Sequence, residues 1–156
     1  MKIYIGTDHA GFGIKEVLVA HLKSAGHEVV DKGALALDPE DDYPDYVIPV
    51  AEEVSRDPES KGIVLGATGQ GEAIAANKVK GVRAAVYYGA PKFVIDGDAD
   101  MITRTRQHND ANVLSLGARY LDEAEAIEVV TKWLATPYEA EERHARRLAK
   151  IAKIDS

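Results

Sequence analysis

The 156-residue chain has no cysteine, which excludes disulfides, thiolate zinc sites, iron–sulfur clusters and a cysteine nucleophile together. Aromatic residues make up 6% of it, too few among the basic residues to build a stacking surface for RNA or single-stranded DNA. Positive charge is also in deficit: 19 Lys+Arg stand against 26 Asp+Glu, a formal charge of −7. Such a surface does not attract nucleic acid or an anionic membrane as a whole, so an anionic ligand has to be caught by a local cluster. No apolar run approaches the roughly 20 residues that span a bilayer. Met1-Lys2-Ile3-Tyr4-Ile5-Gly6 has no leader-like pattern, and a cytoplasmic protein is expected. With 46% hydrophobic residues, residues 1–156 are expected to form one domain with a substantial core.

Five β-like runs alternate with helical patterns. The runs are Lys2–Gly6, Glu28–Asp31, Gly62–Leu65, Val82–Tyr87 and Val113–Leu116; the helices begin near Phe12, Asp45, Glu72, Pro91 and Asp122. This alternation predicts a three-layer α/β/α fold with a five-stranded parallel sheet, whose ligand belongs at the carboxyl ends of the strands. Those ends read Gly6-Thr7-Asp8-His9 and Gly66-Ala67-Thr68-Gly69-Gln70-Gly71-Glu72. An acidic, proline-bearing loop, Asp38 to Asp45, separates the second strand from the second helix. After Thr136-Pro137 a last helical segment, Tyr138 to about Ile154, follows the final sheet element and is free to pack on another subunit.

Three glycines within Gly66–Gly71 let backbone N–H groups converge on an oxyanion. The loop is not a phosphate-binding Walker loop, because Glu72 stands where lysine is required, and Ile74 breaks G-x-G-x-x-G. Glu72 either answers the helix macrodipole or serves as a proton-transfer carboxylate; the second role requires burial, since the dipole alone lowers its pKa. Asp8 either caps local backbone donors or belongs to a site, and Asp8-His9-Ala10 lacks the second aspartate of a phosphatase loop. His108-Asn109-Asp110 offers an acid/base imidazole and an amide, or an ordinary Asx turn. On a helix Arg143 and Arg147 share a face beside His144 and are able to enclose a phosphate, while Glu139 and Glu142 offer ordinary surface pairs to Arg143 and Arg146. His21 and His27 are assigned to structure or solvent.

Taken in order, these segments resemble the ribose-5-phosphate isomerase B family, which includes galactose-6-phosphate isomerase subunits. The resemblance rests on Gly6-Thr7-Asp8-His9-Ala10-Gly11-Phe12, Asp42-Tyr43-Pro44-Asp45-Tyr46, Gly69 to Lys78, Gly81-Val82-Arg83-Ala84-Ala85, His108 to Leu114, Gly117-Ala118-Arg119, and Thr136-Pro137-Tyr138-Glu139 followed by Arg143 to Arg147. It implies a Rossmann-like fold and an aldose–ketose isomerase that uses no cofactor and no metal. The substrate would be a phosphorylated sugar, foremost ribose 5-phosphate, with a tetrose phosphate or a hexose 6-phosphate as alternatives. A non-catalytic sugar-phosphate-binding module on the same scaffold is the alternative outside catalysis. The resemblance further implies a homodimer, or a dimer of dimers, with sites between subunits and residues 137–156 forming a helix that contacts the partner.

The same resemblance assigns roles residue by residue. Glu72, His108, Asp8 and Thr68 are the catalytic candidates; His9, Tyr43, Gly69, Gln70, Gly71, Asn109, Arg119, Arg143, His144 and Arg147 are the substrate contacts, with Arg143, His144 and Arg147 supplied by the partner. Many members carry a cysteine base just before the glycine loop, where this chain has Gly66; in a second form of the family a glutamate after the loop takes over, and Glu72 stands there. Ala67 replaces a common loop glycine, and the segment before Arg143 is one residue longer than usual.

Overall fold

A computed structural model describes residues 1–90 and 100–155. Strands β1 (Lys2–Thr7), β2 (Glu28–Asp31), β3 (Lys61–Gly66), β4 (Ala84–Tyr87) and β5 (Val113–Gly117) form one sheet in the order β2-β1-β3-β5-β4. Every pairing is parallel. The helices are α1 (Phe12–Ser24), α2 (Pro44–Arg56), α3 (Gln70–Ala76), α4 (Met101–Gln107), α5 (Glu123–Ala135) and α6 (Glu142–Ala152).

Side chains alternate along each strand, so one strand feeds two cores. Ile3, Ile5, Ile63, Leu65, Leu114 and Leu116 face α1 and α5, where Leu18, Leu22, Val130 and Trp133 close the larger core. Tyr4, Val64 and Val113 face Val47, Val50 and Val54 of α2 on the other side. Helices thus cover both faces, giving the expected three layers. Because β1 has β2 on one side and β3 on the other, the chain reverses direction across the sheet between β1 and β3. In open sheets of this kind ligands bind beyond the carboxyl ends of the strands at such a switch point, here flanked by the loops that follow β1 and β3.

Lys15 of α1 is fully buried, and its ammonium donates to Asp31 Oδ2 (2.6 Å) and the Ala34 carbonyl (2.9 Å). Since a buried cation is tolerated only when paired, this contact ties the end of β2 and the segment after it to α1. A ladder joins that segment to the end of β1, with Thr7 N–H on Gly33 O and Ala34 N–H on Thr7 O.

Several boundaries differ from the sequence reading. Strand β4 begins at Ala84 rather than Val82, because the Arg83 N–H turns to Asn112 Oδ1 (2.7 Å) and the side chain binds Asp110. Helix α3 begins at Gln70, two residues earlier than expected, directly after Gly69 at φ +76°. The helix expected from Pro91 begins outside the described residues; the helix seen here is α4. The last helix, expected from Tyr138, starts at Glu142. The segment before it is held otherwise, with Glu139 N–H on the Gln107 carbonyl and the Gln107 amide on the Glu139 carboxylate. No helix among the described residues is long and apolar enough to cross a membrane.

Candidate active site

The loop after β3 carries Glu72 on the first turn of α3, and its backbone is set by Gly69. A side chain there would be strained at φ +76° and would meet the Leu116 and Gly117 backbone at 3.0 and 3.1 Å. The buried hydroxyl of Ser115 fixes the turn further by donating to Gly69 O (2.7 Å). Ala73 is the first residue whose N–H bonds back, to Gly69 O, so Gly71 N–H is among the orphan donors of the helix start. The Gln70 N–H is taken by Thr68 Oγ1 at 3.3 Å. Of the loop donors that the sequence suggested for an oxyanion, that one is therefore already engaged.

Glu72 is 5% exposed. Its carboxyl lies over Gly66: a Cβ built on that glycine would stand 1.8 Å from Oε1 and 2.2 Å from Cδ. Burial raises its pKa and the nearby charge of Asp8 adds to the rise, against backbone donors of Glu72 itself and Gly69. Burial therefore overcomes the helix start, which is the condition the sequence left open. Glu72 Oε2 has no hydrogen-bond partner among the described residues.

Beside this carboxylate, Asp8 and His9 follow the end of β1. Asp8 does cap, accepting from Ala10 N–H at 3.0 Å, yet it is also buried and close enough for Glu72 to feel its charge. Tyr43 reaches across from the β2–α2 loop, its hydroxyl 2.9 Å from where a Cβ on Gly71 would stand. Arg119 is exposed after β5, with its N–H on Ala67 O (3.2 Å). Asp8, His9 and Asp41 also have ligand atoms within 4.8 Å of one another. Two of those atoms, His9 Nδ1 and Asp41 Oδ1, are joined to each other at 2.7 Å, which makes the group a hydrogen-bonded dyad rather than an open set of metal donors.

The remaining candidates lie at the opposite end of the sheet. Arg83, just before β4, binds Asn109 O (3.1 Å) and Asp110, and Asp110 also takes Arg106 at 2.8 Å. This fixes the turn that carries His108 and Asn109 near the amino end of β5. Val113 pairs with Gly62 and Gly117 with Gly66, so the two corners stand about a strand length, roughly 13 Å, apart. Helix α6 packs at that amino end, where Asp155 accepts from Gly81 N–H (2.9 Å).

The His144 ring packs on His108 with centroids 4.1 Å apart. His144, a phosphate candidate from the sequence, is 2% exposed and backs His108, and its Nδ1 has no hydrogen-bond partner among the described residues. Arg143 and Arg147 are exposed. Burial, then the neighbouring charges of His144, Arg104 and Arg143, lowers the His108 pKa and favours a neutral imidazole. A cavity of about 680 Å³ lies between α6 and this end, with Asn77, Arg83, Asn109, Leu148 and Ile151 in its lining. Apolar side chains of α6 line one side of it and Val82, Ala84, Ala85 and Ala111 another, and Glu72 is not in its lining.

One chain therefore separates the candidates into a carboxylate corner (Asp8, His9, Tyr43, Thr68 to Glu72, Arg119) and an imidazole corner (His108, Asn109, Arg143, His144, Arg147). Sequence reasoning missed Asp41 and the steric role of Gly66; the first was hidden in an acidic loop, whereas the second was signalled by a glycine at a strand end.

Residues 3–151 match the family described as Ribose/Galactose Isomerase. The chain belongs to that family. Among its relatives is the ribose-5-phosphate isomerase B of Mycobacterium tuberculosis, 40% identical over 155 residues, 99% of this chain and 90% of the relative. The Escherichia coli ribose-5-phosphate isomerase B is 39% identical over 99% of this chain and 96% of its own length. The fold is also that of the family. The Mycoplasma genitalium ribose-5-phosphate isomerase B with bound ribulose-5-phosphate superimposes with a TM-score of 0.89 at 37% identity, covering 99% of this chain and 95% of that one. The Thermotoga maritima structure gives 0.86 at 38% identity, with 97% of each chain covered.

Proposed function

We propose that the protein interconverts ribose 5-phosphate and ribulose 5-phosphate, with Glu72 as the base and a cis-enediolate as the intermediate. The observation that carries the reading is the Glu72 carboxyl itself: buried, raised in pKa, with Oε2 unpartnered, at the switch point of a family member. A buried carboxylate oxygen without a partner is costly unless a task retains it. The names of the relatives, and the ribulose-5-phosphate held by the Mycoplasma genitalium protein, support the choice of sugar.

In this mechanism the open-chain sugar lies across the strand ends. Glu72 removes the proton from C2 of the aldose, the proton of the C2 hydroxyl passes to O1 within the cis-enediolate, and Glu72 returns its proton to C1, while the enediolate oxygen gathers charge beside the Gly71 N–H. The ring-opening acid/base is His108, whose neutral form is favoured where it sits. Since His108 and Glu72 occupy opposite ends of one sheet, the working site joins the carboxylate corner of one copy to the imidazole corner of another. A homodimer with two such sites satisfies this by symmetry. Arg119 from the first copy and Arg143 and Arg147 from the second then receive the phosphate.

Proton NMR in heavy water tests the reading, with ribose 5-phosphate, erythrose 4-phosphate, allose 6-phosphate and galactose 6-phosphate offered in parallel. Turnover of ribose 5-phosphate with deuterium entering at C1 or C2 is the expected result. Binding of a sugar phosphate without exchange or turnover of any of the four would instead make the protein a binding module.

A further inference from the structure

The β2–α2 loop sends Asp41 32 residues back along the chain to His9. A single oxygen, Asp41 Oδ1, accepts from the His9 backbone N–H at 3.0 Å and lies 2.7 Å from ring Nδ1. The Asp41 side chain is 6% exposed, whereas that of His9 is 33% exposed. The loop itself is braced, with Glu40 N–H on Asp38 Oδ1 (3.0 Å) and Asp41 N–H on Asp38 O (3.2 Å).

We propose that Asp41 is a positioning residue, which clamps His9 through its backbone and ring so that Nε2–H alone faces the cleft as a charged donor to the substrate phosphate. The inference rests on the isomerase reading and extends it to the first-strand corner. Its logic is chemical: an ionised carboxylate only accepts, so the proton of the contact belongs to Nδ1, and the remaining nitrogen is presented outward. The same contact favours the imidazolium. Asp41 raises the His9 pKa through the hydrogen bond and Asp8 adds to the rise, against desolvation and the charge of Arg119. Asp41 is held in its ionised form: burial pushes its pKa up, but the His9 backbone and ring, with Tyr46 beside it, bring the net shift below the ordinary value. Two cations at one rim, His9 and Arg119, suit a phosphate dianion. A carboxylate that orients a histidine is a familiar arrangement wherever one ring nitrogen has a task and the other must be fixed.

A merely structural Asp41 would anchor the loop that bears Tyr43 and nothing more, so the test has to separate the two. Asp41→Asn keeps the shape of the loop anchor but removes the charge. In long-range proton–nitrogen spectra of the His9 ring, the variant is expected to titrate at lower pH than the parent protein. Its KM for ribose 5-phosphate is expected to rise about fivefold to tenfold near pH 7.5 and less than about twofold near pH 6, with kcat changing little. Titration of the substrate phosphate is common to both proteins and cancels in the comparison. An unmoved His9 titration, or an equal rise in KM at both pH values, would overturn the proposal. Should the protein lack isomerase activity, the same spectra recorded with inorganic phosphate still decide it: phosphate should perturb the His9 ring less in the variant, and an equal perturbation in both proteins would overturn it.

Discussion

Replacement of Glu72 by Gln is expected to leave a folded protein that binds ribose 5-phosphate but no longer exchanges its C2 hydrogen with solvent. The amide has almost the shape of the carboxylate and fits the space above Gly66, so packing is retained. What it loses is the ability to accept a proton. General bases contribute about 10²- to 10⁴-fold to rate, and a loss of kcat in that range is expected. Burial makes the contribution large, because a carboxylate raised above its ordinary pKa is a stronger base. Retained exchange in Glu72→Gln, measured by deuterium incorporation at C2, would reject Glu72 as the base.

The second large effect comes from adding one methyl group. In Gly66→Ala the new Cβ would occupy the place of Glu72 Oε1 and Cδ. The Glu72 side chain is flexible and its far end is what must move, so the fold is expected to survive while the base swings away from the reacting carbon. A misplacement of about 1 Å costs roughly 10²-fold, and a drop of that order in kcat is expected with a smaller change in KM. The cause is checked by coupling. If Gly66 acts only by giving Glu72 its room, adding Gly66→Ala to Glu72→Gln costs no further activity, whereas two independent defects multiply. Full activity in Gly66→Ala, or multiplication in the double variant, would contradict the steric account. The same geometry gives the glycine a chemical meaning: a side chain before the loop and a carboxylate after it compete for one volume.

The layers and the strand ends were legible because period-2 burial and glycine-bearing corners are local patterns. Ile63-Val64-Leu65 reads as a strand buried on both faces, and the structure divides those three residues between two cores. Less legible was whatever depends on residues distant in sequence. The sequence offers no local sign that Lys15 is fully buried, because its partners, Asp31 and the Ala34 carbonyl, come from the next crossover. Asp41 reads as one more acid in an acidic loop until its contact with His9 is seen. The burial of Glu72 depends on what is missing at Gly66, six positions earlier. Equally, a sequence lists Glu72 and His108 without saying that β3 and β5 run in register and so carry them at opposite ends. Asp8 shows that the alternatives need not exclude one another, since it caps a turn and also faces the carboxylate.

A catalytic site that joins Glu72 of one copy to His108 of another can be rebuilt by mixing subunits, whereas a site within one chain cannot. Glu72→Gln and His108→Ala, each inactive alone, are to be co-expressed or exchanged after mild dissociation and assayed on ribose 5-phosphate. Random pairing makes half of the dimers mixed, and each mixed dimer holds one site with both native residues, so about a quarter of the parent activity is expected to return. A mixture that stays at the level of its two inactive components, with mixed dimers demonstrated by mass, would contradict a site shared between copies.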